Sequence, residues 1–239
     1  MRSKRGQISV FIIIGIIILA SVLFVLAIRS EFFKTLMPTT NSVIPIQKFV
    51  EECVDRTSKY GIYRMGMQGG YLTMPDDYLK SDVFEVGYAY NNEKKFLALD
   101  EMRQQLESFI LVNMPDCLNG FKEFENEGFS IQTGEMKVDV LFAEKSSMVT
   151  LTLPMTITKG DFNAKLEKFP VPMNVAEKEI YSGIDNFVND LSDSYDLTYL
   201  NGLNANISVN SMGDSDLFAE QNFDSIISGK DYLFLYAIR

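Results

Sequence analysis

The chain has 239 residues, with 22 Lys and Arg against 32 Asp and Glu, a net charge of −10, and neither histidine nor tryptophan. Without histidine there is no Ser-His or Cys-His nucleophile pair, no ordinary general base near neutral pH, and hardly any catalytic zinc arrangement. The acidic balance also argues against nucleic acid as a partner, because phosphate neutralisation needs a basic footprint.

From Ile8 to Ile28 there is no charged residue. As a helix this run would measure roughly 31 Å, close to the hydrocarbon thickness of about 30 Å, and all its backbone groups would be satisfied within the segment. The run is too long for an ordinary secretory signal, and it ends in Ala27-Ile28-Arg29-Ser30-Glu31 without a small-residue cleavage site. It therefore predicts a single helix crossing the lipid bilayer. Arg2, Lys4 and Arg5 precede it with no acid among them, which keeps residues 1–7 on the cytoplasmic side as a basic leader. All 32 acidic residues follow the run, against 18 of the 22 basic ones once Arg29 at its edge is set aside with Arg2, Lys4 and Arg5, so the expected location is the cell membrane with the main domain outside the cytoplasm.

The organisation expected from the sequence is a leader (1–7), a membrane and membrane-proximal helix (8–36), a linker (37–45) and an exported domain (46–239). Pro38 and Pro45 bracket a polar cluster and mark the linker. Beyond it, Ile46, Phe49, Val50, Cys53, Thr57 and Tyr60 recur every three or four residues and predict a helix that Gly69-Gly70 stops. A second helix is expected from Asp100, as N-cap, with Met102, Leu106, Phe109 and Ile110 buried and Pro115 interrupting it. A third, over 174–191, would bury Ile180, Ile184, Phe187, Val188 and Leu191.

Between the second and third helices the period changes to two. Val149, Leu151, Leu153, Met155 and Ile157 alternate with Thr150, Thr152, Pro154, Thr156 and Thr158, a strand with one dry face, and "EMKVDVLFAEKSS" supplies its hairpin partner. Pro154 on the wet face points to an edge or a bulge. Further strands are expected over 83–90, 205–211 and 232–238. Helices and strands come in blocks without βαβ alternation, so the fold class is α+β: one N-terminal transmembrane helix, then an exported domain with an antiparallel sheet and about three helices.

Cys53 and Cys117 are the only cysteines, both in the exported region. An even count in an oxidising compartment reads as a disulfide; two small buried thiols are the alternative. Asn206-Ile207-Ser208 is a glycosylation sequon. No P-loop or G-x-G-x-x-G occurs, and the glycines of "GMQGGYL" follow a helix where a phosphate cradle needs them before one. The spacings Asp190-x-x-Asp193-x-x-Asp196 and Asp214-x-Asp216 do not match an EF-hand loop. No metal, cofactor or catalytic residue is expected. A carboxylate pair for glycoside hydrolysis could be drawn only from Asp76, Asp77, Glu123, Glu125, Glu127 and the acids just named.

"KRGQISVF" resembles the processing region of archaeal type IV pilin-like precursors, with Gly6, Gln7 and Ser9 in the pattern and Phe11 where that family has glutamate. The resemblance implies cleavage after Gly6 and self-association through the apolar N-terminal helix. The run "IQKFVEECVDRTSKYGIYRMGMQGGYL", Cys117 and the closing "YLFLYAI" resemble a group of uncharacterised membrane-anchored archaeal surface proteins. This second resemblance makes Cys53, Gln68, Gly69, Gly70, Tyr71 and Cys117 recurring features, with Gln68 to Tyr71 as a candidate ligand loop. The expected function is that of a non-catalytic structural or adhesion protein, pilin-like in its first helix. The alternatives are an anchored receptor or binding domain and an exported carboxylate-dependent hydrolase.

Overall fold

The computed structural model describes residues 40–191 and 205–239. Helix α1 (Thr40–Met67) is followed by β1 (Tyr78–Lys80), β2 (Glu85–Tyr90), α2 (Leu99–Leu118), a 3-10 turn at Asn119–Phe121, the short α3 (Lys122–Asn126), β3 (Ser130–Thr133), β4 (Lys137–Phe142), β5 (Ser147–Lys159), β6 (Phe162–Met173), α4 (Glu177–Asn189), β7 (Ala205–Met212), β8 (Ser215–Ile227) and β9 (Lys230–Ile238). The α+β class and three long helices agree with the sequence, but the fold class needs correction at the membrane segment. Residues 8–28 lie outside the described residues, and among the described ones no helix is long and apolar enough to cross a membrane. Helix α1 shows why length alone is insufficient. Its 28 residues carry Lys48, Glu51, Glu52, Asp55, Arg56, Lys59 and Arg64, charges that a hydrocarbon core would not solvate.

Two sheets replace the single antiparallel one expected. A five-stranded sheet runs β1-β2-β9-β8-β7, and its β2–β9 pair is parallel, with Tyr88 opposite Ala237. A smaller sheet, antiparallel throughout, is built around β5. There β3 pairs with the C-terminal stretch of β5, β4 with its N-terminal stretch, and β6 along most of its length. The dry face of β5 is as its alternation requires, with Val149, Leu151, Leu153, Met155 and Ile157 all buried. Pro154 falls where the β5–β6 register shifts between Thr152 and Met155, so the proline's missing N–H is absorbed by a bulge. Its carbonyl accepts the Gly134 N–H at 2.7 Å.

One contiguous core joins the helices to both sheets. Helix α1 contributes Ile46, Val50, Cys53, Val54, Ile62 and Met65, α2 contributes Met102, Leu106, Ile110 and Met114, and α4 contributes Ile180, Ile184, Phe187 and Val188. Tyr60, expected on the buried face of α1, is 59% exposed, because the inward stripe runs on through Ile62 and Met65 instead.

Three boundaries differ from expectation. The expected linker at 37–45 is helical from Thr40, and Pro45 lies inside α1. The proline removes one backbone bond near the helix start, and burial of Ile46 and Val50 immediately after it offsets that loss. Helix α2 is capped by Ala98 rather than Asp100, since the Glu101 carboxylate accepts the Ala98 N–H at 3.1 Å. Pro115 does not interrupt α2, which continues to Leu118. The turn around Pro115 is held by buried Met114 and Leu118 and by Cys117, while Asn119 closes the helix in the left-handed region at φ 44°.

Candidate functional site

The sequence-predicted sites occupy different regions of the fold. Gly6, Gln7 and Ser9 lie outside the described residues. Cys53 and Cys117 come together, with sulfurs 2.09 Å apart and Cα atoms 5.7 Å apart, and tie the middle of α1 to the last turn of α2. Asn206 is exposed on β7, an edge strand of the larger sheet.

The Gln68–Tyr71 loop is pinned to β2. Gly87 N–H donates to the Gln68 carbonyl at 3.1 Å, and Tyr71 Oη donates to the Lys95 carbonyl at 2.7 Å. Gly69 holds φ +75°, and a Cβ there would sit 2.9 Å from the Gly87 carbonyl, so both the turn and the close approach require glycine. Tyr71 is buried, its ring lying over Gly87. Within this loop the Gln68 side chain faces a groove.

That groove, about 570 Å³, lies between the C-terminal half of α1 and the β1–β2 turn. Its volume falls in the range of small-molecule clefts. Tyr60 and Tyr63, 59% and 49% exposed, form its aromatic wall, and Val83, 86% exposed, stands at the turn. Two polar pairs line it: Arg64 Nε donates to Gln68 Oε1 at 2.9 Å, and Lys80 Nζ lies 3.0 Å from Glu85 Oε1. Hydrogen bonding to Lys80 holds the Glu85 carboxyl below the usual carboxylate range.

The acids considered for hydrolysis are dispersed. Asp76 and Asp77 before β1, Glu123, Glu125 and Glu127 on and just after α3, Asp190 at the end of α4 and Asp214 at the β7–β8 turn are all solvent-exposed, and Asp193 and Asp196 lie outside the described residues. Asp216 is half-buried at the β7–β8 hairpin, where it accepts the Ser211 hydroxyl at 2.6 Å. Among the described residues no three His, Cys, Asp or Glu side chains are grouped to hold a metal ion.

The carboxylates that stand out are two that sequence reasoning passed over, Glu177 and Glu220, both completely buried. Glu177 opens α4, and its Oε1 accepts the Tyr232 hydroxyl at 2.7 Å, while Oε2 has no partner among the described residues. Glu220 lies in the middle of β8 between Phe218 and Asn222 on the core-facing side, and neither of its oxygens has a hydrogen-bond partner among the described residues. Tyr236 Oη and Ser58 Oγ are likewise buried without one. Burial pushes the Glu177 carboxyl up to about 7 against the pull of the Tyr232 hydrogen bond, and burial with the neighbouring charges of Glu177 and Glu179 pushes Glu220 up to about 8. Desolvation disfavours the charged form, so each carboxyl holds its proton well beyond the ordinary range. Neither group has solvent-exposed surface among the described residues, whereas glycoside hydrolysis needs its carboxylates open to sugar and water. The signal that could have found Glu220 is parity: it shares the face of Phe218, opposite the alternating aromatics Tyr232, Phe234 and Tyr236.

Comparison with family models, with curated proteins and with solved structures finds no match.

Proposed function

We propose that the chain is an exported surface protein with a structural or adhesive role and no catalytic one. The observation that carries this reading is the Cys53–Cys117 pair at bonding distance, which closes a 64-residue separation between two core helices. Such a bond persists in oxidising compartments outside the cytoplasm. The acidic excess after residue 28 and the absence of histidine support it, as does the burial of the two carboxyls that are strongly perturbed among the described residues. The finer reading is a pilin-like surface-structure subunit that self-associates through its N-terminal segment, and it rests on Gly6, Gln7 and Ser9.

A second reading, a binding domain for a ligand, is favoured by one feature: two exposed tyrosines beside a polar-lined groove that the fold does not fill. The experiment is to recover the protein from native cells under thiol-blocking conditions and determine its amino-terminal residue and cysteine state by mass spectrometry. A chain beginning at Gln7 with a bonded cysteine pair supports the surface-structure subunit. An intact amino terminus with the pair bonded moves weight to the binding domain. Two blocked free thiols in protein from intact cells would refute export as the setting of the fold.

A further inference from the structure

We propose that Glu177 and Glu220 form a proton-operated latch, fastening α4 to the core-facing side of the five-stranded sheet in acid and loosening it as the medium becomes alkaline. The geometry has three parts. First, the two acids come from different layers: Glu177 is the first residue of α4, and Glu220 is central in β8, opposite Phe234 in register and diagonal to Tyr232 and Tyr236. Second, Tyr232 links the layers. Its hydroxyl lies 2.7 Å from Glu177 Oε1 and 3.2 Å from the Ile62 carbonyl of α1, so the start of α4, the end of α1 and β9 meet at one oxygen. Third, three of the four carboxyl oxygens have no hydrogen-bond partner among the described residues.

Among the described residues, the groups facing this pair supply no positive charge. Helix α4 presents Glu177 and Glu179, β8 presents Glu220, and β9 presents Tyr232 and Tyr236. Helix α1 presents the Ile62 carbonyl, and β7 pairs Ile207 against Glu220. No lysine or arginine among the described residues acts on either carboxyl. Two ionised carboxylates in such surroundings would be desolvated, mutually repelling and unpaired, which an interior does not tolerate. The packed state therefore holds the protons, and giving them up requires the pair to reach water by moving α4 off the sheet.

The sign follows from linkage. Both folded-state values, about 7 and about 8, lie above the ordinary 4.5 of an exposed glutamate. Stability from the pair is fully present below about pH 4.5, falls as pH rises, and levels off once both native groups ionise near pH 8. Within that window each proton retained only by the native state lowers the folded-to-unfolded ratio by about tenfold per pH unit. Tyr232 and Tyr236 are raised well above their ordinary range by burial and stay neutral throughout.

The test is thermal unfolding of the full-length protein by far-UV circular dichroism at about pH 5 and about pH 8, with wild type, Glu220→Gln and Glu177→Gln. The expected result is a wild-type Tm lower by at least about 5 °C at the higher pH. Glu220→Gln should show a smaller fall and a Tm at pH 8 no lower than wild type. Should a variant fail to fold, the wild-type profile decides. A wild-type Tm that is flat or rises across this range overturns the latch. So does a pH 8 Tm that excess calcium raises and a chelator lowers, since the carboxyls would then hold a cation in place of protons.

Discussion

Opening the Cys53–Cys117 bond tests how much of the fold's stability is covalent. The cysteines are 64 positions apart, and the stretch between them includes the second half of α1, the Gln68–Tyr71 loop, β1, β2 and nearly all of α2. On the chain-entropy model, releasing a loop of that size from the unfolded ensemble costs about 4 kcal/mol, which for a domain of this size is a Tm drop on the order of 8–16 °C. The native contacts around the bond survive its loss. A Cβ at Gly61 would come within 2.7 Å of Leu106 Cδ1, so α1 and α2 stay in close contact two turns beyond Cys53, and Phe49 still packs on Phe121 and Phe124. The unfolded state is thus where the effect arises. Cys117 is half-buried and accessible to a small reductant, whereas Cys53 is fully buried. The assay is calorimetry of oxidised protein, reduced protein and the Cys53→Ala/Cys117→Ala double variant, with thiol content verified by mass. Reduced and double-variant proteins should melt together, well below the oxidised form. A drop of less than about 1 kcal/mol in fully reduced protein would refute the loop argument.

Two more substitutions probe the junction of α1 with β9. Gly66→Ala would place a Cβ 2.5 Å from Tyr232 Oη and 2.6 Å from the Leu233 carbonyl, so it should destabilise by about 2 kcal/mol or more despite alanine's better helix propensity, read by chemical denaturation. Tyr232→Phe deletes the hydroxyl donated to Glu177 and should cost about 1–2 kcal/mol, since it leaves a second buried oxygen of that carboxyl unpaired. Combining the cysteine double variant with Tyr232→Phe should give additive changes within about 0.5 kcal/mol, because the Tyr232 hydroxyl meets α1 at Ile62, about 13 Å along the helix from Cys53.

The helices and the central strand were legible because each is governed by one strong period. In α1 and α2 the apolar residues recur every three to four positions, and in β5 every second residue is Val, Leu, Met or Ile. Strand β6 was hidden by its composition: Lys165, Glu167, Lys168, Pro170 and Pro172 leave no clear apolar alternation. It is a strand because it pairs only with β5, leaving its other edge with no ladder for the prolines to break, and Phe169, Val171 and Met173 still reach the core. Strand β8 was hidden by Glu220, Gln221, Asn222 and Asp224, and by the register shift between Asn222 and Ile226. The parallel β2–β9 pair was illegible for another reason. It joins residues about 150 positions apart, and no local pattern encodes a pairing that only packing of the intervening chain brings about.

The acidic pair escaped notice because glutamate is ordinarily among the most exposed residue types, and a chain with 32 acids offers no reason to single out two. What separates Glu177 and Glu220 from the others is where the fold puts them. Glu177 stands in the first turn of α4, where a negative side chain is normally welcome near the helix's positive end, yet here that turn is driven into the core by Val175, Ala176 and Ile180. Glu220 follows an alternation that its own neighbours set: once Phe218 and Asn222 face inward, the residue between them on that face must do so too. Both acids are therefore carried inside by stronger neighbours, against their own preference for water. The resulting cost falls on ionisation, which is why a burial forced by packing has its measurable consequence in the pH dependence of the fold.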